Sequence, residues 1–249
     1  MLADAVGVPP LCKGRWVAVR RLGGVVKLTM ITLDKRLSAV AALVRQGSRL
    51  ADIGTDHAYL PVHLVQAGVC PSAIASDIGA GPLDAARRTV TENGLTSEIA
   101  LRLGDGLATV SAGEVEDIAI AGMGGETIAA ILEAAPWVQN EGIRLILQPM
   151  TRAEDLRRWL LTHGFTVIEE HLITDGRHLY PVLAAEYTAA PVCEDEVVIY
   201  GGFFTAEEGR PYRHMMAEHL LRRARGYYHD GDFVTVSRLT DLSDLLRKM

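Results

Sequence analysis

The chain has 249 residues, of which 49% are hydrophobic, and its 25 basic and 31 acidic residues give a net charge of −6. This length and composition predict a globular protein with one catalytic domain and a small appendage, and they exclude a disordered chain. No apolar run approaches the ~20 residues of a membrane helix, and three scattered cysteines form no zinc or redox spacing, so we expect a cytoplasmic protein without a membrane partner or a metal.

The first 29 residues mix glycine, proline and basic residues without a steady period. Five basic side chains and one acidic side chain lie in this stretch. We expect residues 1–29 to be a weakly ordered extension, unless the natural start lies nearer Met30. From Leu33 onward, apolar residues recur at helical spacing and predict an amphipathic helix that Gly47 ends.

Short apolar strands then alternate with helices as far as residue 147. The strands are expected at 49–53, 73–76, 98–103, 117–120 and 144–147. Such repeats predict an α/β fold, a Rossmann-like and mostly parallel sheet with helices on both faces. Thr151 and Glu154 match a capping box, which predicts a further helix that Gly164 ends.

The alternation ends in a hairpin and two terminal helices. Strands at about 165–173 and 178–187 flank Asp175-Gly176, a hairpin turn signal, so the last strand of the sheet is expected to be antiparallel. The sheet domain is therefore predicted to span 30–187, followed by a linker at 188–205. Helices at about 206–226 and 232–248 carry apolar stripes that can face each other, which predicts a small C-terminal helical hairpin over 206–249.

A glycine turn follows the first strand of the predicted sheet, at residues 52–58 (DIGTDHA). Open α/β sheets bind ligands beyond the carboxyl ends of their strands, and the next helix offers unpaired N–H groups there. A dinucleotide fingerprint needs more glycines than this. Asp56 stands where a second glycine would be, which disfavours a pyrophosphate and favours a cationic ligand such as S-adenosylmethionine. A plain turn with Asp56 as helix N-cap is the alternative.

Later strand ends offer further groups for such a site. Asp77 can accept hydrogen bonds from ribose hydroxyls, or it can cap a helix. The turn at 104–106 (GDG) can place a carboxylate near an adenine amino group. The run at 121–125 (AGMGG) implies close backbone approach, either to an acceptor nitrogen or to a tightly packed helix. Gln148 and Pro149 end the fifth strand and can line the acceptor side or form a turn.

Together these motifs resemble those of the bacterial tRNA adenine-22 N1-methyltransferase family, TrmK. The matching stretches are 52–61 (DIGTDHAYLP), 104–107 (GDGL), 120–125 (IAGMGG) and 145–149 (LILQP). They occur in the family's order and with similar spacing. The resemblance runs from Leu33 to about Tyr187 and continues more weakly through the C-terminal helices, where the family carries a coiled-coil-like domain. Residues 1–29 have no counterpart, and the helical part is shorter than is usual in the family.

The resemblance implies an S-adenosylmethionine-dependent enzyme that methylates N1 of an adenine in tRNA. The implied cofactor-binding residues are Asp52, Gly54, Thr55, Asp56, His57, Asp77, Ile78, Gly104, Asp105, Gly106, Ala121, Gly122 and Met123. Asp56 and Tyr59 would lie toward the target adenine, so the catalytic candidates are Asp56, His57 and Tyr59. His57 is equally compatible with a helix-end histidine that bonds to backbone.

Basic residues mark the expected tRNA contacts, because phosphate binding needs local positive charge on an acidic protein. They are Lys35, Arg36, Arg210, Arg213, Arg222, Arg223 and Arg225. An ordinary solvated helix face is the alternative. Methyl transfer to a small molecule or a protein, and a non-catalytic RNA- or cofactor-binding module, are the competing functions. The oligomeric state stays open, with a monomer favoured.

Overall fold

The computed structural model describes residues 30–249 and the backbone of two short strands before them. These strands, β1 (Val19–Arg21) and β2 (Gly24–Val26), pair antiparallel. Apart from them, the extension expected over residues 1–29 lies outside the described residues.

The other seven strands form one sheet in the order β5-β4-β3-β6-β7-β9-β8. Their bounds are β3 (Leu50–Ile53), β4 (Ala73–Asp77), β5 (Ile99–Leu103), β6 (Asp117–Gly124), β7 (Arg144–Thr151), β8 (Phe165–Asp175) and β9 (His178–Tyr187). β3 to β7 are parallel, whereas β9 pairs antiparallel with both β7 and β8. The predicted Rossmann-like sheet with a terminal hairpin is confirmed. Strand order reverses between β3 and β6, and in open sheets the crevice at that point binds ligands.

Eight helices complete the described fold. They are α1 (Lys35–Leu43), α2 (Tyr59–Gln66), α3 (Ala80–Glu92), α4 (Gly125–Glu133), α5 (Ala153–Thr162), α6 (Glu196–Gly201), α7 (Ala206–His229) and α8 (Phe233–Lys248). Apolar residues of α1, α2 and α3 cover one face of the sheet, and those of α4 and α5 cover the other. A third apolar cluster joins α6, α7 and α8 to the end of α5. None of the described helices is long and apolar enough to cross a membrane.

The segment 188–205, expected as a linker, contains helix α6. Asp195 caps this helix by accepting a hydrogen bond from the Val197 amide at 2.8 Å. Ile199 and Tyr200 are buried in the third apolar cluster. The apolar run at 197–200 therefore packs against α7 and α8. The segment connects the sheet to the C-terminal helices as part of the third apolar cluster.

A buried ion pair holds the C-terminal helices to the sheet. The Arg157 guanidinium on α5 contacts the Glu170 carboxylate on β8 at 2.7 Å, and neither side chain is exposed. Arg157 also donates to the Ile199 carbonyl and the Tyr212 hydroxyl, while Glu170 accepts from the Phe203 amide. Because each charged group is paired and hydrogen-bonded, the pair is tolerated in the interior and fixes α6 and α7 relative to the sheet.

The start of α5 differs from the predicted capping box. Thr151 ends strand β7, and Arg152 occupies the N-cap position with φ 55° and no side-chain cap. The chain turns here against α4, since a Cβ on Gly125 would lie 2.0 Å from the Arg152 carbonyl oxygen. This close approach, rather than a side-chain cap, sets where α5 begins.

Candidate active site

The turn after β3 is a glycine turn, as the sequence predicts. Gly54 has φ 78°, a region in which L side chains are strained, and a Cβ there would lie 2.1 Å from the Met123 Cε atom. The amides of Gly54 and Thr55 both donate to the Ser76 carbonyl oxygen, at 2.8 and 2.9 Å. This turn therefore brings the end of β3 against the end of β4 and beneath Met123, near the carboxyl end of β6.

Asp56 does not cap the next helix. Helix α2 begins at Tyr59, with Ala58 in the N-cap position at φ 56°. The Thr55 hydroxyl accepts the Ala58 amide at 3.1 Å, and the Asp56 side chain is 74% exposed. The alternative interpretation of Asp56 as an N-cap is therefore wrong, and its carboxylate is exposed at the turn.

Asp52 is a buried carboxyl at the end of β3, with 7% of its surface exposed. Burial raises the pKa of Asp52 to about 6, and the charge of Asp77 adds to that rise, while a hydrogen bond from Thr55 opposes it. Desolvation and a neighbouring like charge both disfavour an ionised carboxylate. A cationic ligand beside Asp52 would remove that penalty.

The ends of β4 and β5 add two more carboxylates. The Asp77 side chain accepts the Gly79 amide at 2.7 Å, and the Asp77 carbonyl accepts the Gly104 amide at 3.0 Å. Asp105 and Ile78 are exposed beside these contacts. A cavity of about 310 Å³ lies between the 105–108 turn and α4, with Ile131 in its wall. The cavity is large enough to take part of a flat aromatic group.

The run at 121–125 has open space at one glycine and tight packing at another. Gly122 is the extra residue of a β-bulge between the pairs Ala121–Gln148 and Met123–Pro149, with φ 82°, and a Cβ there would meet open space. Gly125, in contrast, packs tightly on Arg152. The first glycine of the run therefore leaves room for a ligand, whereas the last one allows helix packing.

Asp56, His57 and Tyr59 form one row of side chains. His57 Nε2 lies 3.3 Å from Asp56 Oδ2. The His57 and Tyr59 rings stack with centroids 5.1 Å apart and planes 10° apart, and Tyr59 is 44% exposed. The catalytic candidates predicted from the sequence are thus brought together, with an aromatic face available to a base.

The basic residues predicted to contact tRNA are either exposed or engaged in hydrogen bonds within the protein. Those with exposed side chains are Lys35, Arg210, Arg222 and Arg225. The prediction for Arg213 needs correction, because its guanidinium is buried and donates to the carbonyls of Phe204, Thr205 and Ala206. Arg223 donates to the Tyr200 hydroxyl at 3.2 Å and is half-buried.

Arg36 is also engaged within the protein, through a residue whose role the sequence left open. Gln148 is buried, and its Oε1 atom accepts the Gly122 amide at 3.1 Å and an Arg36 N–H at 3.3 Å. In the sequence, the only indication of a role for Gln148 is its position directly after the fifth predicted strand. The partner on α1 lies 112 residues away in the chain, so no local pattern reveals it.

The carboxylates at the strand ends fit S-adenosylmethionine better than a dinucleotide. Four carboxylates lie at the carboxyl ends of β3 and β4 or in the turns after β3 and β5, and they suit an ammonium, a sulfonium, ribose hydroxyls and an adenine amine. They are those of Asp52, Asp56, Asp77 and Asp105. A pyrophosphate would be repelled by the same groups. Within residues 30–249, no cluster of three or more His, Cys, Asp or Glu side chains is placed to hold a metal ion, and the absence of a metal stays a prediction.

Comparisons with known proteins agree with this geometry. The family described as "Methyltransferase domain" matches residues 33–183. The tRNA (adenine(22)-N(1))-methyltransferase of Bacillus subtilis is 41% identical over 172 residues, which cover 69% of this chain and 72% of the relative. The crystal structure of the B. subtilis m1A22 tRNA methyltransferase TrmK has a TM-score of 0.77 at 32% identity and covers 87% of this chain and 99% of its own. The structure of M. capricolum TrmK with S-adenosyl-homocysteine has a TM-score of 0.72 at 27% identity, covering 86% and 97%.

Proposed function

The chain belongs to the family of tRNA (adenine-22 N1)-methyltransferases, and from this premise we propose that it transfers a methyl group from S-adenosylmethionine to N1 of adenine 22 in tRNA. The observation that carries the proposal is the meeting of the family's motifs at one crevice, where Gly54 lies under Met123 and Asp52 lies beside Asp77. The enzyme would act in the cytoplasm, where tRNA is found.

The cofactor would be held at the carboxyl ends of β3, β4, β5 and β6 and by the turns that follow β3, β4 and β5. Asp77 would accept hydrogen bonds from the ribose hydroxyls, and Asp105 would accept one from the adenine amine. Asp52 and Asp56 would face the ammonium and sulfonium charges of the cofactor. The other groups proposed to surround it are Gly54, Thr55, His57, Ile78, Gly104, Gly106, Ala121, Gly122 and Met123. When bound, S-adenosylmethionine supplies an electrophilic methyl group on a sulfonium.

The protein's part in the reaction is positioning and desolvation, because adenine N1 already carries an available lone pair. An adenine stacked in folded tRNA must be extruded before N1 is accessible. Tyr59, with its exposed face supported by the His57 ring, is the proposed stacking partner. Methylation makes the base cationic, and the exposed Asp56 carboxylate would stabilise that developing charge.

The RNA contacts are proposed on Lys35 and on the exposed arginines of α7, with residues 30–187 carrying the chemistry and 206–249 gripping the tRNA. Arg213 is left out because its guanidinium is buried and both terminal nitrogens donate to carbonyls within the protein. Replacing Arg222 and Arg225 by alanine should weaken tRNA binding and lower its slope against log salt concentration by about one per lost contact. Replacing Arg87 and Arg88, which are exposed on α3, is the matched control. Equal losses in both pairs would contradict the assignment.

The acceptor itself is tested by changing one nucleotide. With radiolabelled methyl donor, unmodified tRNA carrying A22 should become labelled, and the same tRNA with A22 replaced by G should not. Labelling of both transcripts would contradict the proposed position. Labelling of neither, together with transfer to a small molecule or protein, would contradict a tRNA substrate.

A further inference from the structure

Gln148 lies at the point where the β6–β7 ladder is interrupted. Gly122 on β6 has no partner in the ladder register, because the pairing moves from Ala121–Gln148 directly to Met123–Pro149. The side chain of Gln148 bridges this gap, since its Oε1 accepts the Gly122 amide at 3.1 Å. Its Nε2 donates to the Pro149 carbonyl at 3.0 Å, which fixes the orientation of the amide group.

Arg36 on α1 holds the same Gln148 oxygen from the other side. Its Nη1 lies 3.3 Å from Gln148 Oε1 and 3.2 Å from Met150 Sδ, and its Nη2 lies 3.2 Å from Asp34 Oδ2. The guanidinium also lies 5.5 Å from the centre of the Tyr180 ring on β9. With 26% of its side chain exposed, Arg36 is fixed by contacts to α1, β7 and β9.

We propose that Arg36 and Gln148 are positioning residues that fix the peptide between Ala121 and Gly122, a role that rests on the proposed methyl transfer. In a trans peptide, the N–H of Gly122 and the carbonyl of Ala121 point in opposite directions, so holding one directs the other. A glycine at φ 82° with open space around its Cα has little steric restraint of its own. The hydrogen bond to Gln148 supplies that restraint at the β6 bulge, on the proposed acceptor side of the site.

This role separates Arg36 from its neighbour Lys35, although both were predicted to contact phosphates. Lys35 is exposed at the first position of α1, whereas the donors of Arg36 are occupied by Gln148, Asp34 and Met150. Loss of Lys35 removes a charge that tRNA can meet. Loss of Arg36 frees the Gln148 amide and, through it, the peptide at 121–122.

Steady-state kinetics on the full chain separate the two roles. Arg36→Ala and Gln148→Ala should each lower kcat on the order of 10- to 100-fold, the range in which misplacement of reacting groups acts, with KM for tRNA near the wild-type value. The double variant should be no slower than the slower single variant, because both substitutions break one chain of contacts. Arg36→Lys should recover part of kcat, since an ammonium can still donate to Gln148. Lys35→Ala should instead raise KM for tRNA.

A raised KM with unchanged kcat in Arg36→Ala would overturn the proposal, as would independent, multiplying losses in the double variant. A second readout does not depend on activity. The Gly122 amide, followed by NMR hydrogen exchange in the protein alone, should exchange faster in Gln148→Ala and Arg36→Ala but not in Lys35→Ala. An unchanged exchange rate of the Gly122 amide in Gln148→Ala would overturn the proposal that Gln148 holds this peptide. If the Gly122 amide exchanges faster in these variants but the wild-type protein does not methylate tRNA, the proposed function is refuted, whereas the positioning of the peptide by Arg36 and Gln148 is supported.

Discussion

Asp52→Asn should stabilise the protein without bound cofactor at neutral pH. Asp52 is buried and its pKa rises from 3.8 to about 6, so between those pH values the unfolded chain ionises while the native carboxyl keeps its proton. The native state therefore loses stability as the pH rises through this window. At about 1.4 kcal/mol for each pKa unit, the total is about 3 kcal/mol. Asparagine removes this loss.

The assay is urea denaturation of wild type and Asp52→Asn at half-unit steps from pH 4 to pH 8. The gain in unfolding free energy should be near zero at pH 4, grow to about pH 6 and then stay constant. Asp56→Asn is the control, because its exposed side chain should change stability by less than about 1 kcal/mol. A difference between wild type and Asp52→Asn that does not vary with pH would refute the buried, destabilised carboxylate.

Three further experiments test other parts of the site and its support. Asp56→Ala should abolish methylation and leave the melting temperature unchanged, because the side chain lies in solvent; an unchanged methylation rate would remove Asp56 from the mechanism. Gly54→Ala should lower the unfolding free energy by about 1–2 kcal/mol and weaken binding of S-adenosylmethionine measured by calorimetry. Gly68→Ala, at φ 70° in open space, should carry a similar strain with unchanged binding. Arg157→Met should cost about 3–5 kcal/mol in urea denaturation, and adding Glu170→Gln should restore part of it; no recovery would contradict an unpaired charge as the cause.

The sheet and the glycine turn could be predicted because their causes are local. Short apolar strands that end in glycine or aspartate carry their own signal, and the carboxyl ends of parallel strands necessarily share one edge. That geometry brings Asp52, Asp77 and Asp105 to one crevice without knowledge of the rest of the chain. The hairpin at Asp175-Gly176 follows in the same way from its turn chemistry.

The arginines could not be placed from the sequence, because the position of a charged side chain depends on partners far away in the chain. Arg157 is four residues after Ala153 and so shares its inward helix face, but its burial depends on distant partners, Glu170, Tyr212 and the Ile199 carbonyl. Arg213 lies on a helix with exposed arginines and is nevertheless buried against carbonyls of the preceding turn. The position of the Arg36 side chain on α1 depends on Gln148 of β7 and Tyr180 of β9.

Methyl transfer to N1 of adenine 22 can be tested by identifying the methylated nucleoside itself. The full-length protein is incubated with S-adenosylmethionine and unmodified tRNA, and the digested product is mapped by mass spectrometry. We expect N1-methyladenosine at position 22. A methyl group on the exocyclic amine, methylation at another position, or no methylated tRNA in a protein that binds the cofactor would contradict it.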